Sequence, residues 1–516
     1  MSLPSEPPAV DGADLQRGAV AGVSWTMLNT FVGVPVATVV NVVLAHLLAV
    51  PGYARLAYLT AALSLVVSLV DLGTTSAMVQ FGARAHAAGD VERVQALLTR
   101  TQGFRLLVTA PVLSVFMLLA IDLDGWAMAG ALVFAVWVPS AAAGLSDCLT
   151  LENKTATEAK VVLGVNLLAQ IGVVLCAAVT RDADLTWIVR AAITALVPVL
   201  AVVFVAPRYR HAVWRPRLPV GFPDGYWHFA LPTAAAGLVA GLVTSRSEVL
   251  LLEWLSTPVA VGVFALAFGI AGQMYAPANA LTGPLLPALA GLRTVAPQRM
   301  GAALLRVLRV TSTASAVLCL IAAAPIAVLI PTIYGSDFAD AAPIFVALSL
   351  SSTVAVIAGP LTAFSLARGH ATEQFWLSLV ALVVDLALSV ALIPAYGAWG
   401  AVIAASAAVL LRTALLLRVE LPGLGLSGRQ ALGAVRYLLA PVVAVPLIWW
   451  AAGTLPAAPW LVAIASAVVG AAVCPVAVHL LRAGLGADDR QVLLRHVPDR
   501  ANSIARRLTG LLVAPR

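Results

Sequence analysis

The sequence predicts an all-α, polytopic membrane protein of about 14 transmembrane helices, and three observations carry that prediction. Hydrophobic residues make up 61% of the 516 and charged residues only 11%, with a mean hydropathy of +0.97; in soluble chains charged residues alone run to about a quarter. The hydrophobic residues gather into fourteen runs close to the ~20 residues a helix needs to cross a bilayer, and so many runs leave no polar faces to cover a soluble core. Lysine and arginine fall almost entirely in alternate connections, which is a topology signal.

Taken in order, the first ~17 residues, MSLPSEPPAVDGADLQR, are Pro-rich and acidic. They lack the basic and apolar regions of a cleaved signal peptide and read as a disordered cytoplasmic tail, 1–17. Spans are expected at 20–48, 56–80, 104–121, 126–149, 160–180 and 185–206, which make an N-terminal six-helix half, 18–206. A cytoplasmic linker, 207–228, leads to a C-terminal half, 229–419, with spans at 229–255, 259–286, 304–331, 341–366, 373–394 and 397–418. Two extra helices, 435–453 and 459–481, fill the stretch 435–482, and 483–516 alternates apolar and basic residues as an amphipathic segment suited to an anionic leaflet.

The even-numbered connections and the tails collect Arg84, Arg93, Arg100 and Arg105, Lys154 and Lys160, Arg208, Arg210, Arg215 and Arg217, Arg293, Arg299, Arg306 and Arg309, and most later arginines. The opposite side carries Arg55 and Arg181 beside Asp122, Asp124, Asp182, Asp184, Asp337 and Asp340. Both termini are therefore expected in the cytoplasm. The excess of 31 basic over 24 acidic residues is explained by this asymmetry; no basic patch or arm points to nucleic acid.

An internal repeat supports two halves. Asn41–Val50 before Pro51 resembles Glu248–Thr257 before Pro258, 207 residues on, and an aromatic-bearing span follows each, through Tyr58 and Phe264. Six spans per half gives both the same topology, the arrangement that places a substrate site between repeats.

Other motifs are missing. With Lys154 and Lys160 the only lysines there is no Walker A sequence, and there is no HExxH or histidine cluster for a metal. Cys148, Cys176, Cys319 and Cys474 are far apart in apolar or helix-end runs and read as small packing residues. His46 and His228 are scattered interfacial residues, poor proton relays. No outer connection exceeds about a dozen residues, which disfavours a membrane glycosyltransferase or glycan polymerase. No enzyme and no cofactor are expected.

Within Phe229–Trp254 the chain carries Arg246 and Glu248, and an ionisable group inside a span costs at least ~2.5 kcal/mol unless it faces a partner or a wet cavity. Two readings stand side by side: a structural Arg–Glu couple or a snorkelling arginine, or a pair lining an aqueous cavity that holds an anionic substrate. Arg55, Arg190 and Arg412 lie within a few turns of expected span ends and read as interfacial anchors, with a place in the cavity as the alternative for each. Asn41, Asn166, Gln170, Gln273 and Asn279 are amides in apolar spans, fitted equally to sugar hydroxyls and to interhelical hydrogen bonds. Asp385, alone in mid-span, is a candidate for a coupling ion; Asp71 is another, though a helix-end contact or a salt bridge with Arg84 suits it better.

The stretch LLAVPGYARLAYLTAALSLVVSLVDLGTTSAMVQFGARA, Leu47–Ala85, resembles the first helical hairpin of bacterial polysaccharide flippases, with Pro51-Gly52-Tyr53 as the turn and Asp71-Leu72-Gly73 closing the second span. Ser245 to Leu252 followed by Val261 to Ala267, then Ile333-Tyr334-Gly335, then Leu392 to Ala401 are similar to later stretches of that family in order and spacing. The similarity runs from about residue 18 to 480.

This resemblance implies the superfamily of multidrug and toxin extrusion transporters, lipid II flippases and oligosaccharide-lipid flippases: two homologous six-helix bundles around a central cavity, working by alternating access. It implies a flippase that carries a polyprenyl-pyrophosphate-linked oligosaccharide to the outer leaflet of the bacterial cytoplasmic membrane, with membrane lipids and glycan polymerases or glycosyltransferases as partners and coupling to Na+ or H+ in place of ATP. Arg246 is then the first choice for the phosphate, since a guanidinium meets phosphate oxygens through two parallel hydrogen bonds. Glu248 stands where the family commonly has Asp, and the N-terminal half lacks the dense intramembrane arginines of lipid II flippases. Lipid II flipping and cation-coupled efflux of small amphiphiles are the alternatives.

Overall fold

The computed structural model describes residues 12–152, 154–242, 247–280, 297–368, 370–486, 510 and 512, and these form helices with no strand among them. Twelve helices are long and apolar enough to cross a membrane. The difference from fourteen lies in two places. The first two expected spans are one helix, α1 (Gly12–Val70), divided at Ala49, whose φ of 55° and ψ of −178° are not helical. The seventh is represented by α11 (Tyr226–Gly241) and α12 (Ser247–Leu255), with residues 243–246 between them outside the described set. The polytopic, all-α class is thus the class of the molecule.

The chain divides into two compact units, Met1–Leu242 and Val243–Arg516. In the first, α1 is followed by α2 (Thr74–Ala87), and α3 (Val91–Phe104) runs through a π-helical turn, Arg105–Thr109, into α4 (Ala110–Ala120). Next, α5 (Gly125–Ala131) passes through a second π-helical turn, Leu132–Trp137, into α6 (Val138–Leu151). Then come α7 (Thr155–Thr180), α8 (Ala183–Thr194), α9 (Leu196–Ala201), α10 (Pro207–Val213) and α11.

Local sequence explains the ends. Asp90 caps α3, its side chain accepting from Arg93 N at 2.9 Å, and Asp182 caps α8 by accepting from the amides of Asp184 and Leu185. Because α3 starts at Val91, well before the expected 104, its crossing is the long helix Val91–Ala120, and Arg105 falls mid-helix rather than in the basic connection assigned to it. The core of this unit gathers Met78, Leu97, Leu98, Leu145, Tyr209 and Tyr226, and α1 packs along α7.

Gly73 is fixed by close approach. Its φ is +73°, and a Cβ there would stand 2.1 Å from the carbonyl oxygen of Ala230 on α11. Only a residue without a side chain lets α11 cross the break after α1 at this distance.

The second unit holds α12, α13 (Pro258–Ala280), α14 (Met300–Tyr334), α15 (Ala341–Arg368), α16 (Ala371–Tyr396), α17 (Ala398–Glu420), α18 (Gly428–Val435), α19 (Leu439–Gly453) and α20 (Pro459–Leu481). Pro258 opens α13, where its missing N–H is no loss. The long α14 packs against α15, α18, α19 and α20, and a Cβ on Gly470 would lie 2.0 Å from Leu320 O, so α20 rests on the backbone of α14. Tyr275 on α13 is tied to α15, its hydroxyl 2.6 Å from Thr353 Oγ1 and donating to Ser349 O at 3.1 Å. Large apolar side chains such as Leu119, Val179 and Leu480 are exposed, as lipid contact requires.

Replacing Gly73 by Ala should destabilise the protein by about 2 kcal/mol or more, since overpacking and positive φ add. Gly164→Ala, where nothing lies within 4 Å of the added methyl, should leave stability unchanged or slightly higher. Thermal unfolding of both variants in detergent checks the contrast.

Candidate functional site

Two residues that the sequence offered separately meet in the second unit. Glu248 lies in the first turn of α12 and Asp385 in the middle of α16; both are buried, at 2% and 0% exposure. Ser247 Oγ lies 3.2 Å from Glu248 Oε2 and 3.1 Å from Asp385 Oδ2, so the hydroxyl stands between the two carboxylates. Asp385 Oδ1 and, one turn along, Ser389 Oγ are buried without a hydrogen-bond partner among the described residues. Neither carboxylate has an ion-pair partner among them. Two acids in this setting carry a charge that a proton or a small cation must neutralise, because an unpaired charge at membrane depth costs several kcal/mol, roughly 3 at the low end.

The first unit holds a different kind of network. Arg105 opens the π-helical turn after α3 and pairs with Asp147 of α6 at 2.7 Å, both groups nearly fully buried. Arg105 Nη2 donates to Thr75 Oγ1 at 2.9 Å, and Thr75 Oγ1 donates to Asp71 Oδ1 at 2.8 Å. Asp71 also accepts from Thr74 Oγ1 at 2.9 Å and from the backbone N–H of Thr75 at 3.4 Å, so it holds the first turn of α2 from two residues before the Gly73 cap position. Tyr226 of α11 closes the network by donating to Thr74 O at 3.2 Å. Asp71 therefore sits in a helix-end arrangement, and Arg84 lies over the Phe81 ring instead of pairing with it.

The other singled-out residues fall as follows. Asn41 on α1 and Asn166 and Gln170, one turn apart on α7, are half-buried on a packed helix pair and make no hydrogen bond with the described residues. Gln273 is half-buried on α13. Arg246 lies outside the described residues, and Asn279 is in the last turn of α13 with a side chain outside them. Arg55 is paired with Asp184 at 2.8 Å and donates to Asp122 O. Arg412 of α17 donates to Ser378 Oγ at 3.2 Å and Thr362 Oγ1 at 3.4 Å. Glu420, fully buried, is held by Arg368 at 2.7 Å and His370 at 3.2 Å.

Arg190, exposed on α8, suits a cavity residue as well as an anchor. It lines a cleft of about 250 Å³ in the first unit, with Thr60 and Ser64 of α1, Thr194 of α8, and the rings of Phe134 and Trp187. Its guanidinium has no partner among the described residues. The pairs Thr60/Ser64 and Arg190/Thr194 are each spaced by four, one helical turn, and that spacing was the signal available in the sequence.

No protein-family model and no curated protein matches the sequence. Solved structures do match. The inward-facing conformation of a multidrug resistance MATE family transporter of the MOP superfamily shares 15% identity, over 79% of this chain and 99% of that one, with a TM-score of 0.53. The MATE transporter VcmN of Vibrio cholerae shares 17% over 79% and 98%, with a TM-score of 0.49. At such identity the first likeness speaks for the fold alone: the chain shares the helical fold of that solved structure.

Arg105→Met alone should destabilise the protein by about 3–5 kcal/mol, by leaving the Asp147 carboxylate buried without its partner. The double variant Arg105→Met, Asp147→Leu should recover most of that loss. Comparing the melting temperatures of the two in detergent tests whether the pair acts as a unit.

Proposed function

We propose that the chain is a secondary transporter that carries a polyprenyl-pyrophosphate-linked oligosaccharide from the inner to the outer leaflet of a bacterial cytoplasmic membrane, driven by proton or Na+ exchange at Glu248 and Asp385. The observation that carries this reading is the buried acid pair at Ser247, with an acceptor oxygen of Asp385 left unused. A site of that kind has two states, occupied and empty, and the difference in charge between them supplies the differential affinity a conformational cycle needs.

The anionic cargo is supported by the unpaired guanidinium of Arg190 among the hydroxyls of Thr60, Ser64 and Thr194. A pyrophosphate cannot cross ~30 Å of hydrocarbon unaided, and the arginine offers it directional, charge-assisted hydrogen bonds, while the Thr60 and Thr194 hydroxyls donate to carbonyls of their own helices. The order and spacing of the flippase-like stretches support the same cargo. A second reading, export of small amphiphiles, is favoured by the fold likeness to a transporter described as a multidrug resistance protein.

Proteoliposomes with an imposed H+ or Na+ gradient separate these readings. Transfer of a labelled polyprenyl-pyrophosphate glycan should accelerate with one of the gradients, and Asp385→Asn should abolish the acceleration while the protein remains folded. Arg190→Gln should slow glycan transfer roughly tenfold or more, the scale of one lost charge-assisted contact. Transport of a lipophilic cation with no glycan transfer at all would establish the second reading instead.

A further inference from the structure

The first unit carries a second polar cleft, remote in sequence from Arg190 and Trp187, at the arginine-rich end of its helices. It has a volume of about 560 Å³ and is lined by Glu92, Gln95 and Thr99 of α3, His211 of α10, and Arg215 and Arg217 of the segment after α10. Arg215 and Arg217 are exposed and have no ion-pair or hydrogen-bond partner for their guanidinium groups among the described residues. His211 donates Nδ1–H to Pro207 O at 2.8 Å, which leaves Nε2 to a ligand or water.

The cleft is built, not an accident of loose loops. Arg217 N donates to Thr99 O at 2.9 Å, and Gln95 Nε2 donates to Arg208 O at 2.7 Å. A Cβ on Gly103 would lie 1.7 Å from Arg217 O, so the arginine-bearing segment is pressed against α3 where only glycine fits. Arg100 adds a hydrogen bond to Gly221 O. The two guanidinium groups are thus mounted on a fixed backbone.

Two observations set its depth. The span Val91–Ala120 has 30 residues, about 45 Å of helix, roughly 15 Å more than the hydrocarbon core. If the surplus lies at the polar start of α3, its first ten or so residues stand in the headgroup layer. In the same segment, Trp214 and Leu218 are 55% and 70% exposed, beside Arg215 and Arg217. An exposed tryptophan and leucine flanking two arginines suit a chain lying at the membrane interface, apolar groups toward the acyl boundary and cations toward phosphates.

We propose that this cleft binds the phosphate of an anionic phospholipid headgroup in the leaflet on the arginine-rich side, with Arg215 and Arg217 as its two cationic contacts and Trp214 and Leu218 resting on the acyl chains. Glu92 offsets part of the positive charge and disfavours ligands carrying several acidic groups. The proposal is independent of which cargo the transporter moves.

The test uses the full-length protein in detergent, with lipid binding counted by native mass spectrometry. Phosphatidylglycerol should bind roughly tenfold or more weakly to the Arg215→Ala, Arg217→Ala variant than to the parent, as expected for two interfacial cations. Phosphatidylcholine should bind both proteins alike, and the Arg215→Lys, Arg217→Lys variant should keep most of the phosphatidylglycerol affinity. Both arginines are exposed, so equal melting temperatures are expected for parent and variants, and a variant with a lowered melting temperature is replaced by single substitutions. Equal phosphatidylglycerol binding by parent and alanine variant overturns the proposal. So does arginine-dependent binding of inorganic phosphate without any preference for phosphatidylglycerol, which would assign the cleft to a soluble anion.

Discussion

Inside ~30 Å of hydrocarbon there is no water to accept a stray charge or hydrogen bond, and the ionisable groups within these helices are placed by that constraint. Arg105 has Asp147 and Thr75, and Glu420 has Arg368 and His370. Each of these cations and anions is matched, and the matches tie helices that are distant in sequence. Against this background two places stand out: the Ser247 hydroxyl shared between the Glu248 and Asp385 carboxylates, with Asp385 Oδ1 lacking a hydrogen bond among the described residues, and the exposed guanidinium of Arg190 at its cleft. A buried carboxylate oxygen left without a donor in such a medium is costly unless a proton or ion visits it, and that singles out Asp385.

Packing supplies the second layer of the argument. Between helices in a membrane the hydrophobic effect does little, and close van der Waals contact with backbone does more. Gly73 against Ala230, Gly103 against Arg217 and Gly470 against Leu320 are three places where carbonyl oxygens come so near that no Cβ fits. The first of these lies beside Asp71, so the break after α1, the cap on α2 and the Arg105 network are held in one arrangement. The second fixes the arginine-bearing segment on α3. Glycine thus positions charge here as much as it relieves strain.

The two carboxylates also show how a polar site is made from residues that look ordinary alone. Asp385 is a lone acid in an apolar run, and Glu248 has an arginine for a near neighbour in sequence. Helix α12 presents the Ser247 hydroxyl and the Glu248 carboxylate to α16, and the pair exists only because those two helices pack together.

Composition, run length and the placement of lysine and arginine determined that the chain is all-helical and crosses a membrane many times, because apolar length and loop charge act locally, residue by residue. The sequence also offered Glu248, Asp385 and Asp71 as the acids worth watching. It could not pair the first two, 137 residues apart, nor see that Arg105 leaves its basic connection for the interior, since that followed from α3 starting at Val91 under the cap of Asp90. Nor could it decide between an anchor and a cavity residue for Arg190, because that rests on Thr60 and Ser64 of α1 lying at the same cleft. Which charges find partners is decided by which helices pack, and helix packing is set by shapes and close approaches that no single stretch of sequence contains.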